Sequence, residues 1–105
     1  MIAKTPKTPY YAVIFTTLRT TIEDGYIETA NRMEKLAQEQ EGYLGIESAR
    51  EKLGITVSYW ESLDAILKWK NNIEHTEARK MGKQLWYKQY QLRISKVERD
   101  YGFEK

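Results

Sequence analysis

The chain has no cysteine, a single histidine and two prolines among its 105 residues. Without cysteine there is no disulfide, no thiolate metal site and no cysteine nucleophile. One histidine, His75, excludes a His-rich metal centre built within the chain, so no metal site is expected. No apolar run approaches the roughly 20 residues that a membrane-spanning helix needs. The opening residues, MIAKTPKTP, carry Lys4 and Lys7 but lack the apolar stretch of a secretory signal. The expectation is a cytoplasmic protein with no membrane partner. Charge of one sign is missing too: 17 basic against 15 acidic side chains leave a net charge of +2. That is too little for the concentrated basic face of a nucleic-acid binder. There is no glycine-rich phosphate loop and no nucleophile elbow.

What remains is one small domain with a core of limited size, since a chain this short buries only about two thirds of its unfolded surface. Stability is therefore expected to lean on a partner. Residues 1–9 read as an extended arm, because Pro6 and Pro9 disfavour helix in the residues before them. "YYAVIFTTLRT" from Tyr10 reads as a strand with apolar residues at both parities, so both faces should be covered. From Tyr26 to about Glu39, Tyr26, Ala30, Met33 and Ala37 recur at helical spacing against Glu28, Arg32, Glu34 and Lys35. "EGYLGIESARE" and "GITVSYWE" read as strands joined by a short link at Glu51–Gly54, hence an antiparallel hairpin. Ser62 is the expected N-cap of a second helix with Asp64 in its first turn. The pattern loosens at Asn71–Asn72 and resumes from Ile73 to about Leu85. Tyr87 to Val97 reads as a fourth strand, and 98–105 as a polar tail carrying Tyr101 and Phe103.

The order β-α-β-β-α-β predicts an α+β, ferredoxin-like domain over residues 10–97, with both helices on one face of a four-stranded antiparallel sheet. Nothing else in the chain is expected to cover the second face. The expected solution is a homodimer in which two such sheets meet as a dimeric α+β barrel.

"SYWESLDAILKW", the "IEHTEARK" after it and the final "YKQYQLRI" resemble the antibiotic biosynthesis monooxygenase family across roughly Tyr10 to Val97. The resemblance implies a dimeric α+β barrel and, for some members, cofactor-free oxygenation of aromatic polyketides to quinones. Other members degrade haem. In that group the helix tryptophan, matched here by Trp69, is followed ten residues later by a histidine on the iron, and a first-strand asparagine completes the site. Here the tenth residue onward is Arg79, and Thr16 or Thr17 stands where the asparagine is expected. Arginine keeps its proton and has no lone pair for iron, so a haem site would have to be rebuilt around His75, four residues earlier.

The candidate site residues are Trp69 as a cavity wall, His75 as proton carrier and Arg79 as stabiliser of a phenolate or carboxylate, with Tyr11, Tyr59 and Tyr90 as further cavity-lining aromatics. Each has a plainer reading. Trp69 at helical spacing behind Ile66 suits a core, and His75 between Glu74 and Thr76-Glu77 suits an exposed helix start. Arg79 suits a surface pair with Glu74 or Glu77, and strand tyrosines are ordinarily half-buried sheet residues. The expected function is cofactor-independent oxygenation of a small aromatic or phenolic ligand between sheet and helices. The alternatives are a non-catalytic ligand-binding or sensing dimer, and a haem-binding or haem-degrading protein.

Overall fold

In the computed structural model, which describes residues 1–105, the double-sided apolar strand is β1, Tyr10–Arg19, and it lies inside the sheet. The chain continues through α1 (Tyr26–Gln38), β2 (Tyr43–Arg50), β3 (Leu53–Trp60), α2 (Leu63–Lys70), α3 (Ile73–Met81), a π-helical turn (Gly82–Trp86) and β4 (Tyr87–Val97). The sheet order is β2-β3-β1-β4 with every neighbour antiparallel, the ferredoxin-like arrangement.

The second helical region is two helices. Ser62 Oγ accepts from the Ala65 N–H at 3.0 Å and starts α2. Asn72, extended at φ −60° and ψ 134°, ends the run, and its Oδ1 accepts from the His75 N–H at 3.1 Å to start α3. The expected helix to Leu85 stops at Met81, and Gly82–Trp86 form the π turn. Thr20 Oγ1 takes the Leu85 carbonyl at 2.5 Å, while the Thr20 N–H and Arg19 Nε take the Trp86 carbonyl at 2.8 and 3.2 Å. Carbonyls held by the end of β1 in this way clasp the last turn to the sheet.

The strand register sorts side chains into two faces. Tyr11, Val13, Phe15 and Thr17 of β1 face the helices, level with Trp60, Ser58, Thr56 and Gly54 of β3 and with Lys96, Ile94, Leu92 and Tyr90 of β4. The core under the helices is Ala37, Trp60, Ala65 and Ile66, with Tyr11, Val13, Tyr43 and Trp69 packed around it. Trp60 is fully buried, and its Nε1 donates to Ser58 Oγ at 2.9 Å.

The opposite face carries Tyr10, Ala12, Ile14 and Leu18 of β1 and Leu53, Ile55, Val57 and Tyr59 of β3. The expectation that nothing in the chain covers it needs correction. Residues of the N-terminal arm lie on one end: the Ala3 N–H donates to Glu47 Oε2 at 2.9 Å, and Thr5 Oγ1 lies 3.0 Å from Tyr10 Oη. A Cβ at Gly45 would come within 2.8 Å of Ala3 Cβ, so the bare glycine is what lets the arm lie flat. Tyr10 also bonds Asp100 of the tail, which helps bury Tyr10 and Ala12. At the other end Leu53 and Ile55 stay exposed. No helix is long and apolar enough to cross a membrane.

Candidate functional site

Helices sit over β2, β3 and part of β1, and none packs closely on β4. Leu92 and Ile94 of β4 point to the helix side, yet they are 43% and 51% exposed. Together with Val13 and Phe15 they form the floor of an open trough along β1 and β4. From Phe15 to Tyr11 the trough runs four residues, ~13 Å at about 3.3 Å per residue.

One end of the trough opens into a chamber of about 230 Å³. Two rows of the sheet make its floor: Arg50, Gly54 and Thr17 lie side by side on β2, β3 and β1, and Ser48, Thr56 and Phe15 make the next row. Tyr26 of α1 and Tyr87 of β4 close it from above. The rings interlock edge to face, with Phe15–Tyr87 centroids at 5.5 Å and Tyr26–Tyr87 at 6.1 Å. Tyr90 leans on Phe15 at 5.3 Å. The Arg19 guanidinium stacks over the Tyr26 ring at 3.4 Å, and Trp86 Nε1 holds the Asp24 carbonyl at 2.9 Å, so the roof is pinned from behind. Burial and the neighbouring Tyr26 raise the Tyr87 phenol above the ordinary tyrosine range, against the opposing pull of Arg50 and Arg19. Tyr87 therefore holds its hydroxyl proton more firmly than a free tyrosine does. The lining holds one cation, Arg50, and no carboxylate.

At the Trp60 end of the helix layer stands a stack. Trp60 and Trp69 lie 6.1 Å apart at 25°, and Trp69 and His75 lie 4.1 Å apart at 9°. His75 Nδ1 is 3.0 Å from the Trp69 carbonyl oxygen. A carbonyl only accepts, so Nδ1 carries the proton of the neutral ring and Nε2 holds the lone pair. Burial lowers the His75 pKa below its usual value; the Trp69 carbonyl raises it, and the Arg79 charge lowers it further. His75 is thus neutral at pH 7. It is half-buried, not the exposed helix-start residue that its polar neighbours suggested.

Arg79 does not pair with Glu74 or Glu77. Arg32 takes Glu74 through two contacts of 3.0 and 2.9 Å, and Lys80 sits 3.7 Å from Glu77. Arg79 Nη2 instead donates to the Lys70 carbonyl at 3.1 Å, at the end of α2, and its Nε is buried without a partner. Trp69, His75 and Arg79 therefore come together around the α2–α3 junction, although none of them lines the chamber. Tyr11 packs on the core and Tyr90 on the chamber cluster. Tyr59 is not brought to this side: strand alternation turns it to the opposite face, where it donates to Glu47 at 2.6 Å. With burial and Glu47 acting together, its pKa is pushed up to about 12.

Sequence reasoning missed Arg50, Gly54, Phe15, Tyr26 and Tyr87, and reached Thr17 only as one of two residues standing where the resemblance expects an asparagine. The available signal was Gly54, a glycine just inside a strand after a hairpin, which marks a close approach to the sheet.

Comparison with known proteins supports the resemblance. The family model for antibiotic biosynthesis monooxygenase matches residues 9–81. The uncharacterized protein YqjZ of Bacillus subtilis is 49% identical over 105 residues, covering 98% of this chain and 92% of that protein. The crystal structure of SnoaB, a cofactor-independent oxygenase from Streptomyces nogalater, superposes with a TM-score of 0.71 over 93% of this chain and 100% of that chain at 9% identity. A conserved protein from Methanosarcina mazei gives 0.74 over 83% of this chain and 91% of that one, also at 9% identity. At such identities the superpositions speak for the fold.

Proposed function

This chain belongs to the antibiotic biosynthesis monooxygenase family, and on that premise we propose that it oxygenates a small phenolic aromatic without a cofactor. The observation that carries this reading is the helix-side trough ending in an aromatic chamber with one guanidinium, several hydroxyls and no carboxylate. Such a lining favours a flat ligand that becomes anionic, because every fixed polar group there can donate to an oxygen and none repels negative charge. The chamber lies below the roughly 300–1,000 Å³ of drug-sized pockets, which suits a small ring system continuing along the trough.

In this reading a polycyclic, anthrone-like substrate extends from the chamber along the trough, and at the Trp60 end His75 Nε2 accepts its proton, with the imidazole held by Trp69 and by the Asn72 cap. The Arg79 guanidinium, held at the α2–α3 junction by the Lys70 carbonyl, stabilises the resulting anion by its charge, and Trp69 forms the wall. The electron-rich carbon reacts with dioxygen to form a C–O bond. Loss of water from the hydroperoxide leaves a carbonyl, so one oxygen atom enters the product and the other leaves as water with the two hydrogens of the original methylene.

The haem-ligand position that the resemblance implies is not reproduced here. Arg79 occupies the ligand position without a lone pair and is tied to the Lys70 carbonyl.

The homodimer belongs to the same proposal. Its support is the uncovered end of the second sheet face, where Leu53 and Ile55 are exposed beside Ile14 and Val57.

Oxygen uptake with a panel of anthrones and naphthols tests the function. Saturable uptake with quinone formation, cut by about 10²-fold or more in His75→Ala, is expected. Saturable binding with no uptake would replace the enzyme with a sensing dimer.

A further inference from the structure

We propose that the ligand of this chamber is an aromatic acid whose carboxylate is held by Arg50. This rests on the reading of the chamber as the ligand site and adds the class of ligand. Arg50, Gly54 and Thr17 stand in one row across three strands. The Arg50 guanidinium lies across the backbone of Gly54, in space that a side chain there would fill, and donates to Thr17 Oγ1. Arg50 is an exposed residue, but Thr17 is buried, so the far end of the guanidinium is anchored to the sheet. The remaining N–H groups are left for an acceptor in the plane of the fork, the geometry that a carboxylate matches with two parallel bonds.

Arg50 has no carboxylate partner within 4.0 Å; the chain's ion pairs are Arg19–Glu23, Arg32–Glu74, Lys68–Asp64 and Lys80–Glu77. It is the one cation of a chamber that holds no acid. Arg50 also borders a second, outer basin of about 520 Å³, where Arg19, Lys52 and Lys88 outnumber Glu23 and Glu51. The guanidinium therefore stands at the neck between an aromatic chamber and a basic mouth, with its charge unspent. A ring seated against Phe15, Tyr26 and Tyr87 would place a ring-borne acid at that neck. Gly54 is a positioning residue here, since its missing side chain is what lets the guanidinium lie flat.

The test compares 1-hydroxy-2-naphthoate with 1-naphthol, which differ by the carboxylate, by fluorescence titration of wild type, Arg50→Gln and Gly54→Ala. Circular dichroism of each variant confirms that it folds. Wild type is expected to bind the acid at least about tenfold more tightly than the naphthol, the discrimination of a charge-assisted pair. That ratio collapses toward one in Arg50→Gln, and also in Gly54→Ala, which keeps the charge but blocks its bed. Equal binding of both probes by wild type, or a preference that survives in Arg50→Gln, overturns the inference and leaves the oxygenase reading standing. Binding of neither probe overturns this inference as well, and absence of oxygen uptake with every phenol is the separate result that removes the oxygenase reading.

Discussion

The His75 imidazole lies parallel to the Trp69 indole, 4.1 Å away and 9° off, with Nδ1 on the Trp69 carbonyl at 3.0 Å. On an unbroken helix these positions, six apart, would point about 120° apart and lie ~9 Å apart along the axis, so they would not stack. The break at Asn71–Asn72 is what folds the second helix back, and the Asn72 cap fixes where His75 begins it.

That geometry makes stability depend on pH in a definite direction. The folded-state pKa of His75 lies below its ordinary value, chiefly through burial. Below about pH 6.5 the unfolded chain takes up a proton that the native state still refuses, so stability falls as pH drops from there through the lowered pKa. Urea midpoints measured from pH 7.5 to 5 should fall for wild type and change less for His75→Gln. Equal slopes would mean that His75 is not buried as described.

Asn72→Ala should cost about 1 kcal/mol, in the 0.5–2 range of lost N-caps. It should also loosen the stack, raising Trp fluorescence, whereas the matching change at the other cap, Ser62→Ala, should cost a similar amount and leave the fluorescence of the stack unaltered.

Trp60 is fully buried between β3 and the helices. Trp60→Ala should destabilise by about 3–5 kcal/mol in chemical denaturation, and Trp60→Phe by less, because less volume is removed. A surface-like loss below about 0.5 kcal/mol would place the core elsewhere.

Val57 stands on the second sheet face between the exposed Ile55 and the half-buried Tyr59. Native mass spectrometry should find wild type at twice 12.4 kDa and Val57→Arg at the single-chain mass. A wild type that stays at the single-chain mass would show that the arm and tail suffice to cover that face.

Much of this fold was legible because it rests on local rules. Alternation in the strands, the short link after Arg50, the Ser62 cap and the loosening at Asn71–Asn72 each act within a few residues. Three features depend on partners distant in sequence and left no comparable trace. Strand register alone aligns Arg50, Gly54 and Thr17, from three strands, into one row. The arm finds the sheet through Ala3 on Gly45 and Glu47, some 40 residues on. The π turn exists because Thr20 and Arg19 hold the carbonyls of Leu85 and Trp86. For the site, the sequence pointed to Trp69, His75 and Arg79, which meet at a helix junction, but not to the chamber, whose residues are ordinary strand positions and one helix-start tyrosine until the sheet assembles.

The central claim is that a small aromatic lies on the helix side of the sheet, and its most direct test is an amide and indole chemical-shift map of the labelled protein titrated with 1-naphthol under nitrogen. The account predicts saturable shifts at Phe15, Thr17, Gly54 and Tyr87. Shifts confined to Ile14, Ile55 and Val57 on the opposite face, or none at any concentration, would contradict it.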